Sequence, residues 1–141
     1  MLTPDDVVRS ILDLYILLSY QPPHNQFTVL AAFFLSSPEL PSYKVISLAT
    51  GTKCLPTTRF GERGEALHDC HAEVVARRAA LRWFLEEIAR CHNSLPSQWI
   101  FWSIEHGKYT LCTGVQLNLY VSTLPCEWDL TLGYCQKCDD D

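Results

Sequence analysis

His71-Ala-Glu-Val-Val-Ala-Arg-Arg-Ala-Ala-Leu-Arg82 is the stretch whose reading decides the fold. From position 71 to 91 the apolar residues Val74, Val75, Ala79, Leu81, Leu85, Ile88 and Ala89 fall on one face at helical spacing. Arg77, Arg78, Arg82, Glu86 and Glu87 fall mostly on another. Asp69, just ahead of the run, is the expected N-cap. Strand-like segments flank this helix. Upstream, residues 43–49 read as a short strand running into Thr50-Gly-Thr-Lys-Cys54; downstream, 99–104 and 108–112 form a hairpin around a turn at His106-Gly107. A further strand, 115–122, runs into Thr123-Leu-Pro-Cys126. Near the start, Val7, Val8, Ile11, Leu12, Leu14, Tyr15 and Leu18 mark an amphipathic helix over 4–20, with Asp5 and Asp6 at its positive end. The apolar segment 27–35 suits either a buried strand or a buried helix, because its pattern has no clear period. No internal repeat or linker interrupts the order, so the expectation is one α/β unit.

Composition narrows the class. A chain of 141 residues with 48% apolar residues is long enough to bury a core. With 19% charged residues and no long uncharged apolar run, no membrane-spanning segment is expected. A net charge of −5 argues against gripping nucleic acid by bulk positive charge, so any such contact falls to a local patch. The count of seven cysteines is odd, and residues 1–6 carry two aspartates where an export signal would carry basic residues. The expected location is therefore intracellular, in cytoplasm or nucleus, with cysteines as thiols or metal ligands.

His71-Ala72-Glu73 at a helix start, followed downstream by Pro125-Cys126 at a strand end, reproduces most of the H-x-E … P-C-x-x-C pattern of zinc deaminases. The chemistry explains the residue types. A neutral imidazole and thiolates hold Zn²⁺ with one coordination position open to water, whose pKa falls toward neutrality. A carboxylate that is not a ligand moves the proton. On this reading His71 and Cys126 are ligands and Glu73 is the shuttle. Taken singly, Cys54, Cys91 and Cys112 are more simply small buried apolar residues.

The runs Ile46-Ser-Leu-Ala-Thr-Gly-Thr-Lys-Cys54 and Gly64-Glu-Ala-Leu-His-Asp-Cys-His-Ala-Glu-Val-Val-Ala-Arg-Arg-Ala-Ala-Leu-Arg82 closely resemble the catalytic domain of adenosine-to-inosine RNA editing deaminases. So do Phe27-Thr-Val-Leu-Ala-Ala32 and Leu119-Tyr-Val-Ser-Thr-Leu-Pro-Cys126. The match is strongest over 46–126, and within the family the chain looks most like the tRNA-specific branch. The resemblance implies a cytidine-deaminase-like three-layer α/β fold, a mixed sheet with flanking helices. It implies zinc-dependent hydrolytic deamination of adenosine to inosine in RNA, most readily tRNA, with neither DNA nor a membrane as partner. It places Thr52 and Lys53 in a loop lining the nucleotide pocket. It also places Asp69, Arg77 and Arg78 at positions that help hold inositol hexakisphosphate, whose charge would justify two adjacent arginines partly facing a core.

The pattern departs after Cys126, where Glu127-Trp128-Asp129 replaces the family's usual continuation. Residues 127–141 therefore read as a divergent tail, and the whole chain as the N-terminal portion of a deaminase domain, incomplete at its C-terminus. Cys135 or Cys138 could fold back as a third ligand. The reading preferred here is that Cys135-x-x-Cys138 is a chance pair, since C-x-x-C informs only beside a second pair. A structural zinc module built from His71, Cys126, Cys135 and Cys138 would leave Glu73 without a role. The alternative to an enzyme is a catalytically incomplete fragment with no turnover of its own.

Overall fold

The structure, a computed structural model, describes residues 3–22, 24, 27–39, 43–52, 63 and 69–123. Within them run α1 (Pro4–Leu17), β1 (Leu30–Ser36), β2 (Tyr43–Thr50), α2 (Ala72–His92), β3 (Ile100–Ser103), β4 (Lys108–Leu111) and β5 (Gln116–Val121). The expected hairpin, both expected helices and the strands at 43–49 and 115–122 all form. The segment whose period was ambiguous is β1, the central strand, antiparallel to β2 on one side and to β5 on the other. A central strand covered on both faces is apolar throughout and loses the alternation that marks a half-buried one. Every strand pairing among the described residues is antiparallel.

Three layers result. Leu30, Ala32 and Phe34 of β1 pack toward Val7 and Ile11 of α1. Ala31, Phe33 and Leu35 pack on the opposite face, toward α2. The α1 helix begins at Thr3, whose hydroxyl and backbone N–H pair reciprocally with Asp6 in a capping box. Those bonds, first from the Thr3 backbone and then from its side chain, hold the Asp6 carboxyl below its ordinary 3.8. Tyr43 ties α1 to β2 by donating its hydroxyl to Asp6 O at 3.2 Å and contacting Ser10 Oγ.

The packing of α2 corrects the face read from sequence. Its buried stripe is Ala72, Ala76, Ala80 and Glu87, with Trp83, Phe84, Ile88 and Cys91 half-buried around it. Leu81 and Leu85 stay exposed, at 50% and 67%. The N-terminal half of α2 lies against Ala31, where only small side chains fit. Its C-terminal half meets Leu35, Ile46, Trp99 and Ile100, where large ones fill the space. A one-residue irregularity between Phe33↔Ser47 and Phe34↔Val45 leaves Ile46 as the extra residue of β2.

The buried acid Glu87 organises the turn that follows α2. Its carboxylate accepts from Ser97 Oγ at 2.6 Å and from Arg90 Nη1 at 2.9 Å. Ser97 Oγ in turn accepts from Trp99 N and, at a longer distance, Ile100 N, which sets the start of β3. Removing the carboxylate leaves the half-buried Ser97 hydroxyl without its acceptor and loosens this turn. Glu87→Ala should lower unfolding stability by about 1–3 kcal/mol in urea titrations, and Leu85→Ala by much less.

Candidate active site at the start of the second helix

The end of β2 and the beginning of α2 meet through backbone. Gly51 N donates to Val29 O at 3.2 Å, and Gly51 O accepts from Ala72 N at 3.1 Å. That second bond satisfies one of the N–H groups that a helix start leaves unpaired. The approach has no room for a side chain, since a Cβ on Gly51 would sit 1.8 Å from Cys70 O. Gly51 therefore fixes where α2 begins relative to the sheet, and sequence reasoning had not singled it out. A glycine directly after a strand, at the corner that precedes the H-x-E segment, was the available signal.

His71 occupies the N-cap position with extended backbone (φ −60, ψ 142) and makes no side-chain cap. Asp69 is thus not the N-cap that the sequence suggested. Its Oδ1 instead accepts from His71 N at 3.0 Å and lies 2.9 Å from His71 Nδ1. Two contacts to one carboxylate oxygen hold backbone and ring of the same residue, so the imidazole, only 6% exposed, is fixed in orientation. Carboxylate partners of this kind are common behind metal-binding histidines.

Glu73 is half-buried in the first turn of α2, where the helix dipole favours a negative charge. Thr52 is half-buried directly after Gly51. The H-x-E triplet, Asp69 and the Gly51-Thr52 corner thus converge on one end of α2. Arg77 and Arg78 do not share the buried environment expected of them. Both are exposed, and Arg78 Nη1 donates to Asp69 O at 3.4 Å. Lys53 and Cys126 lie outside the described residues, as do Cys54, Cys135 and Cys138.

The donor set fits a zinc ligand in part. A buried imidazole at the N-cap with a carboxylate behind it, two residues before a second carboxylate in the first helical turn, suits a metal that needs a proton acceptor nearby. Among the described residues, no three His, Cys, Asp or Glu side chains gather as a complete site. Of the residues expected at a polyphosphate, Arg77 and Arg78 are exposed and Asp69 is bonded to His71.

Residues 47–128 match the model of the adenosine-deaminase (editase) domain. The chain belongs to that family. It is 34% identical over 104 residues to tRNA-specific adenosine deaminase 1 of Schizosaccharomyces pombe, covering 72% of this chain and 27% of that protein. Against double-stranded RNA-specific editase B2 of Rattus norvegicus it is 41% identical over 86 residues, 59% of this chain and 12% of the relative. Against double-stranded RNA-specific editase Adar of Drosophila melanogaster it is 32% identical over 127 residues, 86% and 19% of the two chains. The chain thus spans about a quarter or less of the length of these relatives. The relatives it matches are named as RNA-acting adenosine deaminases and editases, and the three-layer fold agrees with a cytidine-deaminase-like domain. No described helix is long and apolar enough to cross a membrane.

Because the Gly51 contact sets where α2 begins beside His71, Gly51→Ala should displace the helix start without altering any side chain of the site. The expected result is a drop of about 2 kcal/mol or more in unfolding free energy. It should be accompanied by faster exchange of the Ala72 amide, read by hydrogen-exchange NMR. A variant with unchanged stability and Ala72 protection would contradict the role given to this contact.

Proposed function

We propose that this chain carries the proton-handling end of a zinc-dependent deaminase that converts adenosine to inosine in tRNA. The observation that supports it most is the pairing of Asp69 with buried His71, which lies two residues before Glu73, at a helix start fixed by Gly51. Zinc, when bound, would supply an activated water and a Lewis acid to the adenine ring. His71, with Cys126, would hold it. Asp69 keeps the His71 ring turned in one direction, as carboxylates behind metal-binding histidines do. Glu73 is the general acid and base: its carboxylate takes a proton from the attacking water, then returns protons to the ring nitrogen and the departing amine. Water attack at C6, loss of ammonia and a keto oxygen at that carbon complete the hydrolysis.

Thr52 and Lys53 follow the glycine corner and are the residues proposed to touch the target nucleotide. An adenine can reach such a site only when flipped out of a stack or already unpaired, which suits a tRNA loop. The choice of tRNA over longer RNA rests on the similarity to tRNA-specific adenosine deaminase 1. The exposed pair Arg77 and Arg78 would meet inositol hexakisphosphate only where further polypeptide covers this face of α2. Such chemistry belongs to an intracellular, reducing setting in which the cysteines stay reduced.

A second reading is favoured by coverage. With only 27% of the length of the S. pombe enzyme, the chain can hold the His71–Glu73 end of the site without the groups that complete it. Mass-spectrometric inosine analysis of tRNA incubated with the 141-residue chain separates the two. The proposal expects inosine from the wild-type chain and a loss of at least about 100-fold in Glu73→Gln, the scale of a general acid–base contribution. Wild-type turnover no higher than that of Glu73→Gln would establish the incomplete fragment.

A further inference from the structure

Leu30, the first residue of β1, and Val29 just before it hold the ends of two neighbouring strands. Val29 O accepts from Gly51 N at 3.2 Å, on the β2 side, and Leu30 O accepts from Ser122 N at 2.8 Å, on the β5 side. Successive residues of a central strand turn their backbone groups to opposite neighbours, so one dipeptide reaches both corners. Each corner leads into the candidate site. Gly51 bonds onward to the start of α2 beside His71, and beyond Ser122 the sequence runs through Thr123-Leu-Pro125 to Cys126.

The last rung between β1 and β5 is irregular. Two residues facing each other in a hydrogen-bonded antiparallel pair ordinarily exchange two main-chain bonds. Here Ser122 N donates to Leu30 O, while Leu30 N donates at 3.0 Å to the Ser122 hydroxyl, which stands in for the carbonyl of the same residue. The substitution lets the chain leave the sheet at Ser122 while the amide of Leu30, a residue only 4% exposed, keeps a partner. Ser122 itself is exposed, so its contribution is this pair of bonds and not burial.

We propose that Ser122 is a positioning residue for the zinc ligand Cys126: it latches the exit of β5 to the same two residues, Val29 and Leu30, that hold the Gly51 corner and hence the His71 end of the site. The proposal rests on the reading of His71 and Cys126 as ligands. Only three residues stand between the latch and Cys126, and one of them is Pro125, which restricts its own backbone and that of Leu124. Ligands drawn from separate elements bind metal tightly when their spacing is set in advance, and groups that orient ligands typically contribute about 10–100-fold in affinity.

Zinc titration of the reduced 141-residue chain against a chromophoric chelator tests this. Ser122→Ala should weaken zinc binding at least about tenfold, and Ser122→Thr, which keeps the hydroxyl, should stay within about threefold of wild type. Glu87→Ala separates positioning from general loosening, because it destabilises the fold toward the far end of α2 and should leave zinc affinity unchanged. In the zinc-free chain the Leu30 amide should exchange about tenfold faster in Ser122→Ala and at the wild-type rate in Ser122→Thr. Zinc binding that Ser122→Ala leaves intact, that Ser122→Thr fails to restore, or that falls equally in Glu87→Ala overturns this proposal alone. So does a Leu30 amide that keeps its protection in Ser122→Ala. A wild-type chain that binds no zinc, or zinc that survives His71→Ala, removes the ligand reading and this proposal with it.

Discussion

The backbone bond between Gly51 O and Ala72 N, made at a distance that excludes a Cβ, joins the sheet to the start of α2. Everything at the candidate site follows from where that helix begins. Behind the junction, Ala31, Ala72 and Ala76 are fully buried and let the first turns of α2 settle against β1. Ahead of it, His71 is the last residue before the helix and Glu73 lies in its first turn. Larger side chains at positions 51, 72 or 76 would push the start of the helix away from the sheet.

Fixing the helix does not by itself fix the imidazole, and there the role of Asp69 becomes specific. A side chain at an N-cap ordinarily bonds back to the helix, which His71 does not do. Asp69 supplies the constraint instead, through the amide and the ring of the same residue. Asp69 thereby positions His71, and Glu73, in the first turn of α2, is the carboxylate we propose for proton transfer.

Much of this was legible in the sequence, and the failures share a cause. The H-x-E triplet, the helix over 71–91 and the hairpin were read from residue types and spacing, and the family from the resemblance of whole runs such as 46–54 and 64–82. The face of α2 was misread because hydrophobicity favours Leu81 and Leu85, whereas a close helix–sheet contact selects alanine. The segment 27–35 resisted assignment because β1 is covered on both faces and its pattern lacks a period. Asp69 looked like a cap because it precedes the helix, but the cap falls two residues later. Arg77 and Arg78 were expected to be partly desolvated and are exposed. In each case the deciding information is a long-range neighbour, which local pattern does not contain.

The central claim, that His71 at the Gly51 junction is a zinc ligand and Glu73 is not, is tested most directly by zinc content. Elemental analysis of the purified chain should find about one zinc per copy, as one ligand set implies. The metal should be lost in His71→Ala and retained in Glu73→Gln. Zinc bound equally well after His71→Ala, or absent from the wild-type chain, would contradict the account.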